Sequence, residues 1–142
     1  MKYLIIVFCC IAFLCVNGAN GGRIDVKQPP QLKVEITQQV ECYKKSKYGD
    51  VLHIHYKGYL ADGTEFDNTY KRGHMVIFTI GTNNVIKGWD QGLLGMCQGE
   101  KRRLIVPPEL AYGDEGFSTL VPPGATLTFD CELLHINLRD EL

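Results

Sequence analysis

An excess of charge of either sign is missing from this sequence: fifteen Lys and Arg stand against sixteen Asp and Glu, for a formal net charge of −1. Such a chain offers no broad positive face to nucleic acid. Its basic runs, Lys44-Lys45 and Lys101-Arg102-Arg103, are too short and too interrupted by acids to follow a phosphate backbone. Long apolar runs are missing too. Leu4 to Val16 is unbroken but falls short of the ~18–20 residues that span a bilayer, so no membrane span is expected. There is no Gly-x-Ser-x-Gly, no phosphate loop, no dinucleotide fingerprint, and no cysteine with an evident base beside it. Those absences argue against nucleophilic hydrolysis and nucleotide cofactors. His53 and His55 share one strand face, yet no third ligand has an evident position, so no metal and no other cofactor is expected. Internal repeats, low-complexity tracts and Asn-x-Ser/Thr sites are also absent. No coiled coil or repeat supports a structural role, and a monomer is expected.

The two ends of the chain read as addresses. Lys2, the apolar run to Val16, and the small residue Gly18 fit a secretory signal peptide over 1–18, with an uncleaved anchor or a buried strand as the alternative. Residues 19–30 begin with a Gly/Asn-rich stretch and read as a mature N-terminus without fixed structure. The chain ends Arg139-Asp140-Glu141-Leu142, which matches the endoplasmic-reticulum retention address at three positions and keeps a basic residue at the fourth. The reading is residence in the ER lumen, with a retention receptor as partner through residues 139–142; ordinary secretion is the alternative. Removal of the leader leaves Cys42, Cys97 and Cys131. Cys131 lies in the alternating run Ala125, Leu127, Phe129, Cys131, Leu133 and reads as a small buried hydrophobe. Cys42 and Cys97 lie among polar residues and glycines, so an oxidising compartment favours their pairing over the other two choices. That bridge closes a loop of about 55 residues, worth roughly 4 kcal/mol in the chain-entropy picture.

Between the ends lies length for one domain, 31–138. Alternation marks strands at Leu32-Val34-Ile36, which reads as half-buried, at Val51 to Leu60, at Thr64 to Asp67 beyond an Asp62-Gly63 turn, and at Val76-Phe78-Ile80. Further strands follow at Glu100 to Val106 and Thr126 to Ile136, while Asn68 to Gly73 reads as a loop. On the second strand Leu52, Ile54, Tyr56 and Leu60 share one face, and His53, His55 and Lys57 share the other. The single Trp sits in Val85-Ile86-Lys87-Gly88-Trp89-Asp90, after Asn83-Asn84, a pair of the kind that starts helices. Ile86, Trp89 and Leu93 then form one stripe of a short helix. Gly88, Gly92 and Gly95 are poor helix formers, so packing must hold this element, with another backbone coming close. Mostly antiparallel strands around one short helix make an α+β fold. The stretch from Pro107 to Gly124 is longer than an ordinary connection and hints at function.

Tyr56, Phe66, Trp89, Tyr112 and Phe129 come from separate elements, with Asp67 as the nearby acid. They describe either an apolar ligand pocket with a few polar groups or simply core aromatics. The ordered set His55-Tyr56-x-Gly58, Asp62-Gly63-Thr64-x-Phe66-Asp67, Val85-Ile86-x-Gly88-Trp89, Ala111-Tyr112-Gly113 and Pro122-x-Gly124-Ala125-Thr126-Leu127-x-Phe129 resembles the FKBP family, the macrolide-binding peptidyl-prolyl isomerases. The likeness runs from about Val34 to Ile136, and the two ends and the Cys42/Cys97 positions resemble its small ER-lumenal branch.

The resemblance implies a five-stranded antiparallel sheet wrapped over one short helix. It implies catalysis of X–Pro rotation during protein folding, with proline-containing chains as clients and tacrolimus- or rapamycin-type macrolides as inhibitors. Trp89 would be the floor for a proline ring; Tyr56, Phe66, Val85, Ile86 and Phe129 the apolar walls; Asp67 the polar wall. The Ile86 N–H and the Tyr112 hydroxyl would meet substrate or macrolide carbonyls. Val76, Phe117, Leu120, Val121 and Arg72 would complete the binding surface. Val76 stands where an aromatic is frequent, Asn84 replaces a usual acid or glutamine, and the tip carrying Phe117, Leu120 and Val121 is more apolar than many. The alternative function is a client-binding module with the same pocket and little turnover.

Overall fold

A computed structural model describes residues 30–138. The leader expected at 1–18, the N-terminal stretch up to residue 29 and the tail at 139–142 lie outside the described residues. The strands are β1 (Lys33–Gln38), β2 (Val51–Tyr59), β3 (Glu65–Asn68), β4 (Val76–Thr79), β5 (Lys101–Val106) and β6 (Leu127–Asn137). The helices are α1 (Thr69–Arg72) and α2 (Lys87–Gly92), with a 3-10 turn at Pro108–Leu110. All strand pairings are antiparallel, in the order β1-β5-β6-β2-β3, with β4 also on β2. This is the α+β class the sequence implies, with six strands where five are expected. β4 pairs with residues 51–54 of β2 and β3 with residues 57–59, on the edge of β2 away from β6. They are one sheet line interrupted by α1.

The interruption is encoded locally, and it corrects the expected loop at 68–73. The Asn68 side chain accepts hydrogen bonds from the Tyr70 and Lys71 amides, and Gly73 closes the turn at φ 76°. A cap at each end suffices for one helical turn. β1 also departs from expectation. It pairs with β5 alone, at the sheet edge, and all six of its residues are exposed, Val34 and Ile36 among them. Alternation reports which residues share a face; it does not say whether a helix reaches far enough to cover that face.

α2 covers the rest. Leu52, Ile54, Leu104, Val106, Leu127, Leu133 and Ile136 have no exposed surface and pack with Trp89 and Leu93 in one core. The helix starts at an Ile86 cap with no side-chain hydrogen bond, so the Asn83-Asn84 pair does not cap it. Asp90, nearly buried, instead turns back from inside the helix: its carboxylate accepts from the Gly81 and Asn83 amides at 2.8 and 3.1 Å, fixing the loop that leads in. Asn83 there adopts φ 58°, a left-handed conformation Asn tolerates. The helix glycines are needed for close approach, but to side chains more than to backbone. A Cβ on Gly88 would lie 2.4 Å from Val106 Cγ1, and one on Gly92 would lie 2.8 Å from Leu104 Cδ2.

Arg102 secures the far end of α2. Although it belongs to a basic run in sequence, its side chain turns inward, hydrogen-bonded to Glu100, and its guanidinium donates to the Gly92, Leu94 and Gly95 carbonyls at 2.8–2.9 Å. A cation on the orphan carbonyls at a helix end is doubly favourable, by hydrogen bonding and by the helix dipole. Cys42 and Cys97 are bonded, with Cα atoms 5.5 Å apart, and Cys131 is a buried free thiol. The bridge ties the segment after β1 to the turn after α2.

Candidate functional site

Trp89 lies at the bottom of a cleft between α2 and the sheet. Its ring meets those of Tyr56 and Phe129 edge-on, at 4.8 and 5.4 Å between centroids, and that of Phe78 tilted at 5.7 Å. Edge-to-face contacts of this kind fix ring planes beyond what burial alone does. The indole N–H is buried with no acceptor among the described residues, a rare state in native cores.

Above the indole is a cavity of about 210 Å³ lined by Tyr56, Phe66, Asp67, Val76, Asn84, Val85, Ile86, Trp89, Tyr112, Phe117, Leu120 and Phe129. Six separate parts of the chain contribute: β2, β3, the start of β4, α2 with its entry, the Pro107–Gly124 segment, and β6. Asp67 is the single ionisable carboxylate of the lining, and no Lys, Arg, His, Ser or Cys joins it. The site has no nucleophile–base pair and no metal-ligand set. Its chemistry is restricted to burying apolar surface and placing a few hydrogen-bonding groups.

Those groups cluster at one wall. The Tyr56 hydroxyl donates to Asp67 in a short hydrogen bond. Arg72, from α1, pairs with Asp67 at 3.0 Å (Nε to Oδ1) and reaches the Tyr56 oxygen at 3.5 Å. Burial, then the hydrogen bond and charge of Asp67, push Tyr56 well above the ordinary tyrosine pKa; burial and Asp67 raise Tyr112 as well. Both phenols therefore stay protonated: Tyr56 gives its hydrogen to Asp67, and Tyr112 keeps its own as a donor. Tyr112 stacks on Phe117 at 4.9 Å, on the rim.

Twelve of the thirteen pocket residues expected from the sequence and its resemblance fall at or beside this cleft, and eleven of them line it. Arg72 is absent from the lining and acts on the wall through Asp67 and Tyr56. Val121 is the correction. It is 2 % exposed and packs in the core, while Phe117 and Leu120 stand half exposed at the rim. Phe117 and Val121 are bridged, their amides and carbonyls exchanging hydrogen bonds at 2.9 and 3.0 Å. The bridge closes the loop tip over 117–121, leaving Phe117 at the rim while Val121 is covered by the core. The sequence reading also missed Thr69, whose hydroxyl bonds the Tyr56 backbone. Nothing in periodicity flags a threonine inside an expected loop.

A larger cavity, about 560 Å³, lies on the outer face of the sheet around Lys57, Tyr70, Lys101, Arg103, Asp130 and Glu132. Its charges are largely mutually paired, Arg103 with Asp130 at 2.7 Å and Lys101 with Glu132 at 3.6 Å. It shares no residue with the cleft.

Known proteins align with this chain along nearly all of its length. The pattern of the family described as FKBP-type peptidyl-prolyl cis-trans isomerase matches residues 42–134. The protein called Peptidyl-prolyl cis-trans isomerase FKBP2 is 48% identical in Mus musculus and 48% identical in Homo sapiens, each over 97% of this chain and 94% or 93% of the relative. FK506-binding protein 2 of Aspergillus fumigatus is 52% identical over 74% of this chain and 78% of its own. Among solved structures, the crystal structure of AtFKBP13 superposes with a TM-score of 0.68 at 40% identity, over 75% of this chain and 93% of that one.

Proposed function

We propose, from the premise that this chain belongs to the FKBP-type peptidyl-prolyl cis-trans isomerases, that its turnover takes place in the Trp89 cleft, on proline-containing clients in the ER lumen. The observation that carries this reading is an aromatic cleft of about 210 Å³ with one carboxylate and no nucleophile. Rotation about X–Pro faces a barrier of roughly 18–20 kcal/mol because resonance gives the C–N bond partial double-bond character. The twisted amide has lost that resonance and is less dipolar than the planar one. A dry, apolar cleft therefore disfavours the planar ground state relative to the twisted one, while contacts away from the bond hold the ring.

Trp89 would carry the proline ring, and Phe66, Val85, Ile86 and Phe129 would wall it. Ile86 precedes the first turn of α2, where backbone N–H groups have no intrahelical acceptor; its N–H and the Tyr112 hydroxyl would meet the carbonyls of the bound chain. Asp67, held by Tyr56 and Arg72, would face the rotating amide. Tacrolimus- and rapamycin-type macrolides would compete for the same cleft. Val76 in place of a frequent aromatic leaves the wall wider, and affects which macrolide fits best. The leader at 1–18 and the Arg-Asp-Glu-Leu ending support ER residence and recognition by the retention receptor.

Phe117 and Leu120, half exposed at the rim, favour a second role, holding unfolded clients with little turnover. A proline-peptide exchange assay, with and without a macrolide, separates the two. Isomerase turnover in the cleft predicts faster exchange, abolished by the macrolide and reduced by Asp67→Val or Tyr112→Phe. Peptide binding without faster exchange would favour the holding role. Unchanged rates in both variants would remove the cleft from the mechanism.

A further inference from the structure

β2 is paired along both edges, but two of its residues lack a strand partner on one side. β4 ends opposite Ile54, paired with Val76, and β3 reaches only to Lys57, paired with Asn68. His55 and Tyr56 fall in the gap. Thr69, the first residue of α1 and without exposed surface, fills that gap with its side chain. Its Oγ1 accepts from the Tyr56 amide at 2.8 Å and donates to the Tyr56 carbonyl at 3.1 Å. The same oxygen lies 2.8 Å from His55 Nδ1.

A hydroxyl has one hydrogen and two lone pairs. The hydrogen goes to the Tyr56 carbonyl and one lone pair takes the Tyr56 amide. In that arrangement only a lone pair is left for His55, which requires the imidazole proton on Nδ1. The ring is held for this by stacking on Tyr70, with centroids 4.4 Å apart and planes at 19°. All three hydrogen-bonding positions of one oxygen are thus used.

We propose that Thr69 is a positioning residue for the isomerase reaction: its hydroxyl stands in for the absent strand and sets the backbone of Tyr56, whose phenol bonds Asp67 in the cleft. The inference rests on the placement of turnover in that cleft. The same helical turn brings Arg72 to Asp67 at 3.0 Å. α1 therefore holds the tyrosine at its backbone and the aspartate at its carboxylate. A continuous edge strand would satisfy Tyr56 by backbone pairing, but it would leave no helical turn to deliver Arg72. Thr69 itself does not line the cleft.

The test compares Thr69→Val, which removes the hydroxyl at nearly constant shape, with Thr69→Ser, which keeps it. The readout is kcat/KM in the peptide exchange assay, per folded molecule, with the folded fraction taken from urea unfolding. Misplacement of about 1 Å can cost on the order of a hundredfold in rate, so a loss of about tenfold is expected for the valine variant. Serine is expected within about twofold of the parent. Parental activity in Thr69→Val, or a loss in Thr69→Ser equal to that in Thr69→Val, overturns the proposal. Asp67→Asn serves as the reference: if it too keeps the parental rate, the cleft reading fails, whereas a slow Asp67→Asn beside a fast Thr69→Val sinks the positioning role alone. Should Thr69→Val not fold, nitrogen NMR of the parent decides. The neutral His55 ring is expected protonated on Nδ1, and protonation on Nε2 refutes the hydrogen-bond arrangement.

Discussion

Gly88→Ala sets two opposed effects against each other next to the cleft floor. Alanine is the better helix former by roughly 1 kcal/mol, so an exposed helix would gain stability. Gly88 is buried, and its new methyl would stand 2.4 Å from Val106 Cγ1, 3.0 Å from Val106 Cγ2 and 3.3 Å from the Leu110 carbonyl oxygen. Val106 has no exposed surface, is stiff about χ1, and sits on β5, which is paired on both edges. It has nowhere to turn. Overpacking a core of this kind costs about 1–3 kcal/mol, and a contact this short belongs at the upper end. The net expectation is a loss of about 1–2 kcal/mol, which lowers the Tm of a domain this size by roughly 5–10 °C. The strain is relieved most readily by lifting α2 from β5, and Trp89 is the next residue. kcat/KM per folded molecule is therefore expected to fall together with stability. Gly95→Ala is the control. Gly95 has φ 67°, and a Cβ there would meet nothing within 4 Å, so the substitution costs only the left-handed backbone, about 1–2 kcal/mol, and leaves turnover per folded molecule at the parental level. Urea unfolding and the exchange assay measure both. A Gly88→Ala protein as stable as the parent would refute the packing argument, since propensity would then have outweighed contact.

Two further outcomes follow from the same physics. Opening the Cys42–Cys97 bridge by Cys97→Ser removes a cross-link over a sequence separation of 55, worth about 4 kcal/mol in the chain-entropy picture; a urea midpoint unchanged in that variant would mean the unfolded chain is not constrained by it. The alkaline limit of stability is set by weak acids that the fold shields, Cys131 fully, Tyr56 and Tyr112 in large part and the half-exposed Tyr70 least. Burial first, then neighbouring carboxylates, raise Tyr56, Tyr70, Tyr112 and Cys131 above their usual values. The unfolded chain releases these protons before the native one does, so the native state binds more protons and stability falls as pH rises. The urea midpoint should be insensitive to these four groups between about pH 6 and 8 and drop above about pH 9, as unfolded Cys and then Tyr ionise. A midpoint that holds at about pH 10.5 would contradict the burial of those groups.

Much of this protein was legible in the sequence because period and composition report local rules. Alternation located β2, β4, β5 and β6, the Asp62-Gly63 turn was readable, and Cys131 was identifiable as buried from its place in an alternating run. The glycines around Trp89 announced that packing, not propensity, holds α2. What only the tertiary structure decided were relations between elements. Val34 and Ile36 alternate like core residues yet lie exposed, because burial depends on where α2 ends and not on their own spacing. Arg102 reads as surface charge but turns inward, because the last helix carbonyl and two carbonyls of the turn after it wait there. Val121 packs in the core rather than on the rim because other segments cover it there. Thr69 acquires a role only where β3 and β4 fail to meet across Tyr56. A side chain's hydrogen-bonding capacity is written in its identity, but which partner lies within reach is set by distant segments that the fold brings together.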